Sequence, residues 1–341
     1  MFGYGYGYGY GDYGGGTAGA TTPGTTQVGI SPTSGAAATS AMVATSVAVT
    51  AVAAISAEPS DRGEQMILSD MPKRLFACTP SRLASFDCPR RYRMTYLDRP
   101  APPRGAPWAH NTVGSVVHLA LHRWWLLDRV RRTPAEGGRL VERNWQPNGF
   151  RDDAQAARAR AKAGQWVQRY LDERVDADVE PVGVERTVGT TTTRLALSGR
   201  VDRIDERDGE LVVVDYKTGR RELTDDDART SQALAMYVVA ARRTLRRICR
   251  RVELHHLPTG QVTSFEHTDE SLARQVGRAE ATADDIVTAT DTLAAGADPD
   301  DVFPPAPGPN CSWCDFRRHC PEGRAVSKDH DPWAGLAAEV S

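Results

Sequence analysis

An Asp-Gly pair between two alternating segments constrains the fold of this chain more than any other feature. Asp208-Gly209 suits a type I′ turn, in which both central residues need a positive φ. A two-residue turn here pairs residues whose numbers sum to 417, so Asp202 faces Asp215 with Cβ atoms about 5 Å apart. Lys217 projects from the same face as Asp215, because it lies two residues further along the strand. The sequence therefore predicts a hairpin that carries two carboxylates and an ammonium group together.

Two opposed carboxylates need a compensating positive charge. Like charges directly opposite each other destabilise a strand pair, and a shared proton or a bound cation relieves the repulsion. Mg²⁺ is commonly held by one or two carboxylates together with phosphate oxygens. Such an ion polarises a phosphoryl group and activates water, while Lys217 stabilises charge or positions the nucleophile. The alternative is a surface hairpin with scattered charges, but the valine run 212–214 favours a buried strand.

The segments around this hairpin indicate an α/β domain. Apolar residues recur with helical spacing in some segments and alternate with a period of two in others. Helices, then strands, a helix and further strands predict a mixed sheet flanked by helices. We expect helices over 81–97 (capped by Thr79 or Ser81), 113–131, 153–174, 231–247 and 270–293, and strands over 182–188, 194–205, 210–217, 251–257 and 261–267.

Composition separates the N-terminal segment from the rest. Residues 1–60 contain no Lys or Arg, and Asp12 and Glu58 are their only acids. This segment of Gly, Tyr, Ala and Thr buries too little area to offset chain entropy. We therefore expect a low-complexity, disordered tail over residues 1–65 and one folded domain over residues 66–341.

Charge and hydropathy limit the function classes. The chain has 42 basic and 44 acidic residues, a net charge of −2, which excludes a histone-like polycation but allows a local basic face. No run approaches the ~20 strongly apolar residues of a membrane span. The N-terminal segment lacks the basic leader of a secretory signal. We expect a cytoplasmic protein without a membrane partner.

The hairpin residues resemble the core motifs of a known family. Gly199-Arg-Val-Asp202 and Val-Val-Asp215-Tyr-Lys217-Thr-Gly219 resemble those of the PD-(D/E)XK nucleases, in the branch of the RecB and AddB nuclease domains. The resemblance spans residues 79–323. It implies a restriction-endonuclease-like core with an N-terminal helical region, cutting DNA with Mg²⁺ or Mn²⁺. It further implies that Asp202 and Asp215 are metal ligands and that Lys217 is the catalytic lysine.

The resemblance assigns three further site residues. His118 matches the helical histidine that this branch adds to the metal site, although a lone helical histidine is more often structural. Glu185 matches the upstream acidic position, and Tyr237 matches a tyrosine on the helix after the lysine strand. The family has a glutamine four residues before that tyrosine, but Gln232 is five residues before Tyr237. Five residues rotate ~140° on a helix, so these two cannot share one narrow face.

Four cysteines indicate a second metal centre. Cys311-x2-Cys314-x5-Cys320 has the spacing of cysteines that bind a metal as thiolates. A four-thiolate site would need a fourth cysteine from elsewhere in the chain, and Cys88 is the candidate. Spacing alone does not separate a [4Fe–4S] cluster from Zn²⁺. The one-plus-three arrangement resembles the iron–sulfur staple of AddB-type nucleases, which implies a structural [4Fe–4S] cluster. A disulfide is not expected, because nothing suggests export. Cys78 and Cys249 are expected to be free buried thiols.

Two groups of arginines are candidate DNA contacts. The basic run within residues 242–251 spans about half of a helix circumference at 100° per residue, and such a stripe could pair with phosphates. A second basic patch lies beside Cys88. The alternative for both is a solvated charged face. The candidate residues are Arg90, Arg91, Arg242, Arg243, Arg246 and Arg247, with Arg93, Arg250 and Arg251 beside them.

These observations together predict a divalent-metal-dependent DNA nuclease similar to RecB-family exonucleases. We expect it to hydrolyse phosphodiester bonds at single-stranded or free DNA ends in repair or recombination. The sequence has no Gly-x4-Gly-Lys-[Ser/Thr] loop, so any unwinding would come from a separate helicase. One alternative is a CRISPR-adaptation-type iron–sulfur nuclease. The other is a non-catalytic DNA-binding subunit of a helicase–nuclease complex, which the intact Asp202, Asp215 and Lys217 disfavour.

Overall fold

A six-stranded mixed sheet lies between two layers of helices in the computed structural model, which describes residues 74–336. The tail expected over residues 1–65 lies outside the described residues. The strands are β1 (Phe76–Cys78), β2 (Gly183–Thr191), β3 (Leu195–Arg207), β4 (Glu210–Lys217), β5 (Cys249–His256) and β6 (Gln261–Glu266). The helices are α1 (Pro80–Ala84), α2 (Pro89–Tyr96), α3 (Ala109–Trp125), α4 (Pro134–Arg143), α5 (Asp153–Arg174), α6 (Asp225–Thr230), α7 (Gln232–Leu245), α8 (Asp269–Ala294), α9 (Pro299–Val302) and α10 (Pro321–Val326).

The sheet combines parallel and antiparallel pairs. Its order is β1-β3-β4-β5-β6, and β2 pairs with the other edge of β3. The β1–β3 and β4–β5 pairs are parallel, while β2–β3, β3–β4 and β5–β6 are antiparallel. The expected α/β fold with a mixed sheet flanked by helices is confirmed.

The β3–β4 hairpin has the predicted turn and register. Asp208 has a φ of 52° and Gly209 a φ of 83°. The pairs run from Arg207–Glu210 to Arg203–Val214, and their numbers sum to 417. The ladder ends there, one step before Asp202 and Asp215. Residues 195–197 of β3 pair with β1 on the edge that β4 occupies further along. On this edge of β3, residues 198–202 therefore face a gap in the sheet between β1 and β4, while β2 pairs with 198–201 on the other edge.

Each face of the sheet has its own hydrophobic core. One core packs the sheet against α1, α2, α7 and α8, and the other packs it against α3, α4 and α5. On β4, Val213 enters the first core, whereas Val212 and Val214 enter the second. A strand that is apolar on both faces is typical of the centre of such a sheet. No helix within residues 74–336 is long and apolar enough to cross a membrane.

The helix expected over 81–97 is interrupted at Cys88. Thr79 caps α1 by accepting the Arg82 N–H, as expected, but a 3-10 turn and an extended Cys88 separate α1 from α2. Pro89 explains the break, because a proline disfavours the helical conformation of the residue before it. Cys88 consequently becomes the N-cap residue of α2.

Two further helix expectations need correction. The helix expected over 113–131 occupies Ala109–Trp125, with a separate 3-10 turn at Arg129–Arg131. Helix α7 ends at Leu245, because Arg246 adopts a left-handed φ of 54° at its C-cap. Arg250 and Arg251 then belong to β5. The basic run around residue 246 is therefore not one helical face.

Strand β1 and helix α4 were not expected from the sequence. Strand β1 has only three residues, too few for a periodic pattern. Helix α4 contains the pair Gly137-Gly138, which disfavours a helix by about 1 kcal/mol per glycine. A Cβ at Gly137 would clash with Leu171 of α5, and one at Gly138 with Gln168. The close approach of these two helices outweighs the weak helix propensity of the pair.

Candidate active site

Three side chains from different elements converge at the gap in the sheet. His118 comes from the middle of α3, Glu185 from β2 and Asp202 from β3. One ligand atom of each lies within 4.8 Å of the others. The side chains of His118, Glu185 and Asp202 are 8%, 13% and 15% exposed, so the group is shielded but reachable.

The peptide groups of Tyr216 orient two of these side chains. The Tyr216 N–H donates to Asp202 Oδ2 at 2.8 Å, in place of the next bond of the β3–β4 ladder. His118 Nε2 lies 3.1 Å from the Tyr216 carbonyl oxygen. A carbonyl only accepts, so this contact assigns the proton to Nε2. His118 Nδ1, 3.3 Å from Asp202 Oδ1, is then the nitrogen that can bind a cation.

Asp215 and Lys217 form a second part of the site. Lys217 Nζ lies 2.6 Å from Asp215 Oδ2, and the two side chains are 24% and 19% exposed. The sequence grouped Asp215 with His118 and Asp202 as metal ligands. The compact three-donor group consists of Glu185, His118 and Asp202. Asp215 also interacts electrostatically with Asp202 and His118, and its place among the metal ligands stays a prediction.

Glu185 has an unusual backbone for a strand residue. Its φ is 47°, in the left-handed region that residues with a Cβ rarely adopt. The β2–β3 ladder pairs Val184 with Arg203 and Arg186 with Val201, but skips Glu185. Arg200 Nε holds Glu185 Oε2 at 2.8 Å. Such a conformation costs about 1–3 kcal/mol and concentrates at functional sites.

The electrostatics of the site favour bound positive charge. Burial raises the pKa values of Glu185 and Asp215, and the Asp202 charge raises both further. Burial alone would raise the pKa of Asp202, but the charge of His118 and its hydrogen bond lower it. Burial alone would lower the pKa of His118, but Asp202 raises it. Neighbouring cations therefore offset the effect of burial on these carboxylates.

Tyr237 of α7 completes the wall of the site. A Cβ added to Gly199 would lie 2.5 Å from Tyr237 Cε1, so the ring packs directly on β3 at the gap. Burial raises the pKa of Tyr237, and the charges of Asp215, Asp202 and Glu185 raise it further. The hydroxyl consequently stays protonated and can donate a hydrogen bond.

Three residues that support the site were not assigned from the sequence. Arg200 pairs with Glu185, although it lies inside the motif that carries Asp202. Tyr216 acts through its backbone, which a sequence pattern does not reveal. His256 Nε2 contacts the Gly219 carbonyl oxygen at 2.8 Å and fixes the chain after Lys217. His256 stands opposite Lys217 in the β4–β5 ladder, a non-local pairing.

The donor set at the gap suits a hard divalent cation. Two carboxylates and one imidazole leave room for water and phosphate oxygens, as Mg²⁺ and Mn²⁺ require. The three donors come from α3, β2 and β3, so the tertiary fold brings them together. Such an ion would also offset the repulsion between Glu185 and Asp202.

The four cysteines named from the sequence line one cavity of about 30 Å³. Cys88 and Cys320 are N-cap residues of α2 and α10, whereas Cys311 lies within the 3-10 turn Pro309–Trp313 and Cys314 is the C-cap residue of that turn. All four thiols are free, as are those of the buried Cys78 and Cys249. Burial raises the pKa of the Cys314 thiol to about 11, so only a bound metal would keep it a thiolate at neutral pH.

Backbone N–H groups surround the cysteine sulfurs. Gly323 N donates to Cys320 Sγ at 3.3 Å, and Gly308 N donates to Cys311 Sγ at 3.4 Å. A Cβ at Gly323 would lie 3.3–3.4 Å from both sulfurs, closer than most Cβ contacts, so the glycine leaves room for the close approach of the two sulfurs. The chain thus forms a cradle of thiols and N–H donors that fits a thiolate-ligated metal group.

The arginines near Cys88 are engaged within the protein. The Arg90 side chain is 8% exposed and pairs with Glu322 at 2.6 Å. Arg90 Nη1 also lies 3.8 Å from Cys320 Sγ. The expected DNA contact of Arg90 is therefore corrected, because its guanidinium is buried at the cysteine cavity. Arg91, 31% exposed, pairs with Asp87.

The second arginine group is divided by the end of α7. Arg242 pairs with Asp269 at 2.8 Å and Arg247 with Glu206 at 2.7 Å. Arg243 and Arg246 are exposed. Neither forms a salt bridge within residues 74–336, so these two are the members of the run that are available to a ligand.

Similarity to a solved structure and to a protein family is found for this chain. A solved structure from Eubacterium rectale, described as "Putative exonuclease", is 12% identical; the match covers 66% of this chain and 85% of that chain, with a TM-score of 0.40. No protein of curated function matches the sequence. The sequence profile of the PD-(D/E)XK nuclease superfamily matches residues 77–321, which contain the site residues and the four cysteines. This match covers well over half of the chain, and the chain therefore belongs to the PD-(D/E)XK nuclease superfamily.

Proposed function

We propose that this chain is a metal-dependent deoxyribonuclease of the RecB-like branch that cuts at single-stranded or free DNA ends. The observation that carries the proposal is the meeting of His118, from α3, with Glu185 and Asp202 at the gap in the sheet. The helical histidine distinguishes this branch in the resemblance drawn from the sequence. The repair or recombination role belongs to the same proposal.

Each residue of the site has a role that follows from its position. Glu185, Asp202 and His118 Nδ1 would hold Mg²⁺ or Mn²⁺, and Asp215 lies beside them. The bound ion supplies a polarised phosphate and an activated water. Lys217, fixed by Asp215, places an ammonium group where charge develops on the phosphate. Tyr237 stays protonated and donates a hydrogen bond to a substrate oxygen.

We further propose that the four cysteines bind a [4Fe–4S] cluster. Tetrahedral Zn²⁺ has Zn–S distances of about 2.3 Å, so its sulfurs lie about 3.8 Å apart. Within residues 74–336, the group of three donors within 4.8 Å is His118, Glu185 and Asp202, and the cysteine sulfurs form no group as tight. Sulfurs spread around a cavity support a larger inorganic group than one zinc ion. The cluster would join Cys88 to residues 311–320.

Cleavage of end-labelled single-stranded DNA with Mn²⁺ tests the proposed activity. The full chain is purified anaerobically, and wild type is compared with Lys217→Ala and Lys328→Ala. Lys328 is an exposed lysine outside the site and provides the matched control. We expect cleavage by wild type and by Lys328→Ala, and a loss of at least about 100-fold in Lys217→Ala.

The pattern of products tests the finer assignment. Sequential shortening from one labelled end supports an exonuclease and gives its polarity. Internal cuts on closed circular single strands would contradict a requirement for ends. Equal cleavage by all three proteins would mean that Lys217 is not catalytic. An absence of cleavage by all three would favour a DNA-binding subunit.

A further inference from the structure

A basic groove of about 660 Å³ lies apart from the catalytic residues, between α6, β6 and α8. Its helical wall consists of Arg274, Gly277, Arg278 and Ala281, spaced at i, i+3, i+4 and i+7 of α8. Residues with this spacing share one face of a helix. Arg229 and Thr230 of α6, Phe265 of β6, and Ser271 and Gln275 of α8 complete the lining.

The charge of this groove is one-sided. Three arginines line it, and no lining residue is acidic. Arg229 pairs with Asp226, but Arg274 and Arg278 form no salt bridge within the described residues 74–336. Arg278 instead donates to Gln275 Oε1 at 2.6 Å, and both residues line the groove. Arg274 and Arg278 lie about one helical turn apart, and like charges at this spacing destabilise a helix. A bound anion would relieve their repulsion.

The groove also offers an aromatic surface. Phe265 is half-buried, and the ring of His267 supports it edge-on with centroids 4.8 Å apart. Gly277 leaves the opposite wall open, because a Cβ there would have no neighbour within 4 Å. Arginines beside an aromatic ring suit single-stranded nucleic acid, in which phosphates pair with basic side chains and bases stack on aromatic rings.

The groove is close to the catalytic residues along the chain. Thr230 ends α6, and α7 follows at once and carries Tyr237 at the active site. The extended Ser231 separates Thr230 from α7, and the first six residues of α7, up to Tyr237, rise ~9 Å along the helix axis. The groove is therefore adjacent along the chain to the helix that carries Tyr237.

We propose that this groove holds single-stranded DNA of the substrate, with phosphates at Arg274 and Arg278 and a base on Phe265. The proposal rests on the proposed function, and it adds a binding subsite beyond the reacting phosphate. The groove sets affinity for the strand and does not take part in bond cleavage.

Binding of a fluorescent 20-nucleotide oligo(dT) without divalent metal tests the groove. The double variant Arg274→Ala/Arg278→Ala removes two phosphate contacts, which lowers the slope of log affinity against log salt by about 1.4. Wild type should then lose about sevenfold more affinity than this variant between about 50 and about 200 mM salt. Arg158→Ala/Arg160→Ala removes the same charge from α5, on the other face of the sheet, and should keep the wild-type slope.

A groove-filling variant gives evidence independent of charge. Gly277→Met adds a good helix former in open space, so the fold should be at least as stable as wild type. We expect weaker oligo(dT) binding with an unchanged salt slope, whereas Gly277→Ala should bind like wild type. Wild-type binding by Gly277→Met and by the double arginine variant would overturn the proposal.

Cleavage of the same oligonucleotide separates this proposal from the proposed function. The double arginine variant should raise KM and leave kcat unchanged, while Lys217→Ala should bind normally and not cleave. If wild type cleaves no DNA but its binding depends on Arg274 and Arg278, the groove stands and the nuclease fails. If wild type cleaves and the groove variants match it in KM and binding, the groove fails and the nuclease stands.

Discussion

The left-handed backbone of Glu185 predicts that glycine is more stable than alanine at this position. A left-handed conformation costs an L-residue about 1–2 kcal/mol, and Glu185 has a φ of 47°. Glycine avoids this cost, but loses about 0.5–1 kcal/mol more conformational entropy in a strand. The difference between these two ranges is ~0–1.5 kcal/mol, so Glu185→Gly should be about 0.75 kcal/mol more stable than Glu185→Ala.

The comparison isolates the backbone, because both variants lose the same carboxylate and the same ion pair with Arg200. Thr187, two residues further along β2, is an exposed position with an ordinary strand conformation. At Thr187 the order should reverse, with glycine about 0.5–1 kcal/mol less stable than alanine. The two differences should thus have opposite signs.

Urea unfolding of the four variants without divalent metal measures these differences. A shift of about 1 kcal/mol corresponds to about 2–4 °C in Tm for a domain of this size class, so thermal unfolding provides a second readout. If alanine is the more stable residue at both positions, Glu185 is not strained and the reasoning is refuted. Both Glu185 variants should also lose the stabilisation that Mn²⁺ gives to wild type.

Three further outcomes follow from the structure. His118→Asn keeps an oxygen near the Nδ1 position and should retain more Mn²⁺ affinity than His118→Gln, measured by calorimetry; the opposite order would refute the Nδ1 assignment. Burial alone would raise the pKa of Glu253, but His255 and Arg207 lower it to about 2. The ionised Glu253 therefore stabilises the fold above its unfolded pKa of about 4.3, and this stabilisation is lost as the pH falls towards 2. The urea midpoint of wild type should decline over this pH range, and the decline should be smaller in Glu253→Gln; parallel curves would contradict this. Cys314→Ser should lose visible absorbance and several degrees of Tm, whereas Cys249→Ser keeps the absorbance; an unchanged Cys314→Ser Tm would exclude a structural staple.

The parts of the fold that depend on neighbours in sequence could be predicted. The turn at Asp208-Gly209 fixed the β3–β4 register through positive φ angles, which both residues adopt. Helix α5 occupies its expected span, because Asp152 caps it by accepting the Gln155 N–H at 2.7 Å. These features require only the local chain and its alternation of apolar residues.

The parts that depend on tertiary contacts could not be predicted. The ladder opens at Asp202 because the side chain takes the Tyr216 N–H, and because Tyr237 packs against Gly199. Helix α4 forms despite its glycine pair, since α5 approaches it closely. Helix α7 ends at Leu245, and its left-handed C-cap is Arg246 and not a glycine that would mark the end in the sequence. In the first two cases the decisive atoms come from another element.

The candidate site shows the same division. Its lysine and two aspartates follow from spacing within one hairpin. Glu185 entered the site only as a match to a family position, and its meeting with His118 and Asp202 depends on the β2–β3 register. The burial of Arg90 at the cysteine cavity likewise depends on Glu322, more than two hundred residues away in sequence.

The most direct test of the central claim is the dependence of DNA cleavage on Mn²⁺ concentration in wild type and Glu185→Gln. If Glu185 holds the ion with Asp202 and His118, the half-saturating Mn²⁺ concentration should rise by at least about tenfold in the variant. A contaminating nuclease would respond identically in both preparations. Equal half-saturation in the two proteins would contradict the assignment of this group as the metal centre of the nuclease.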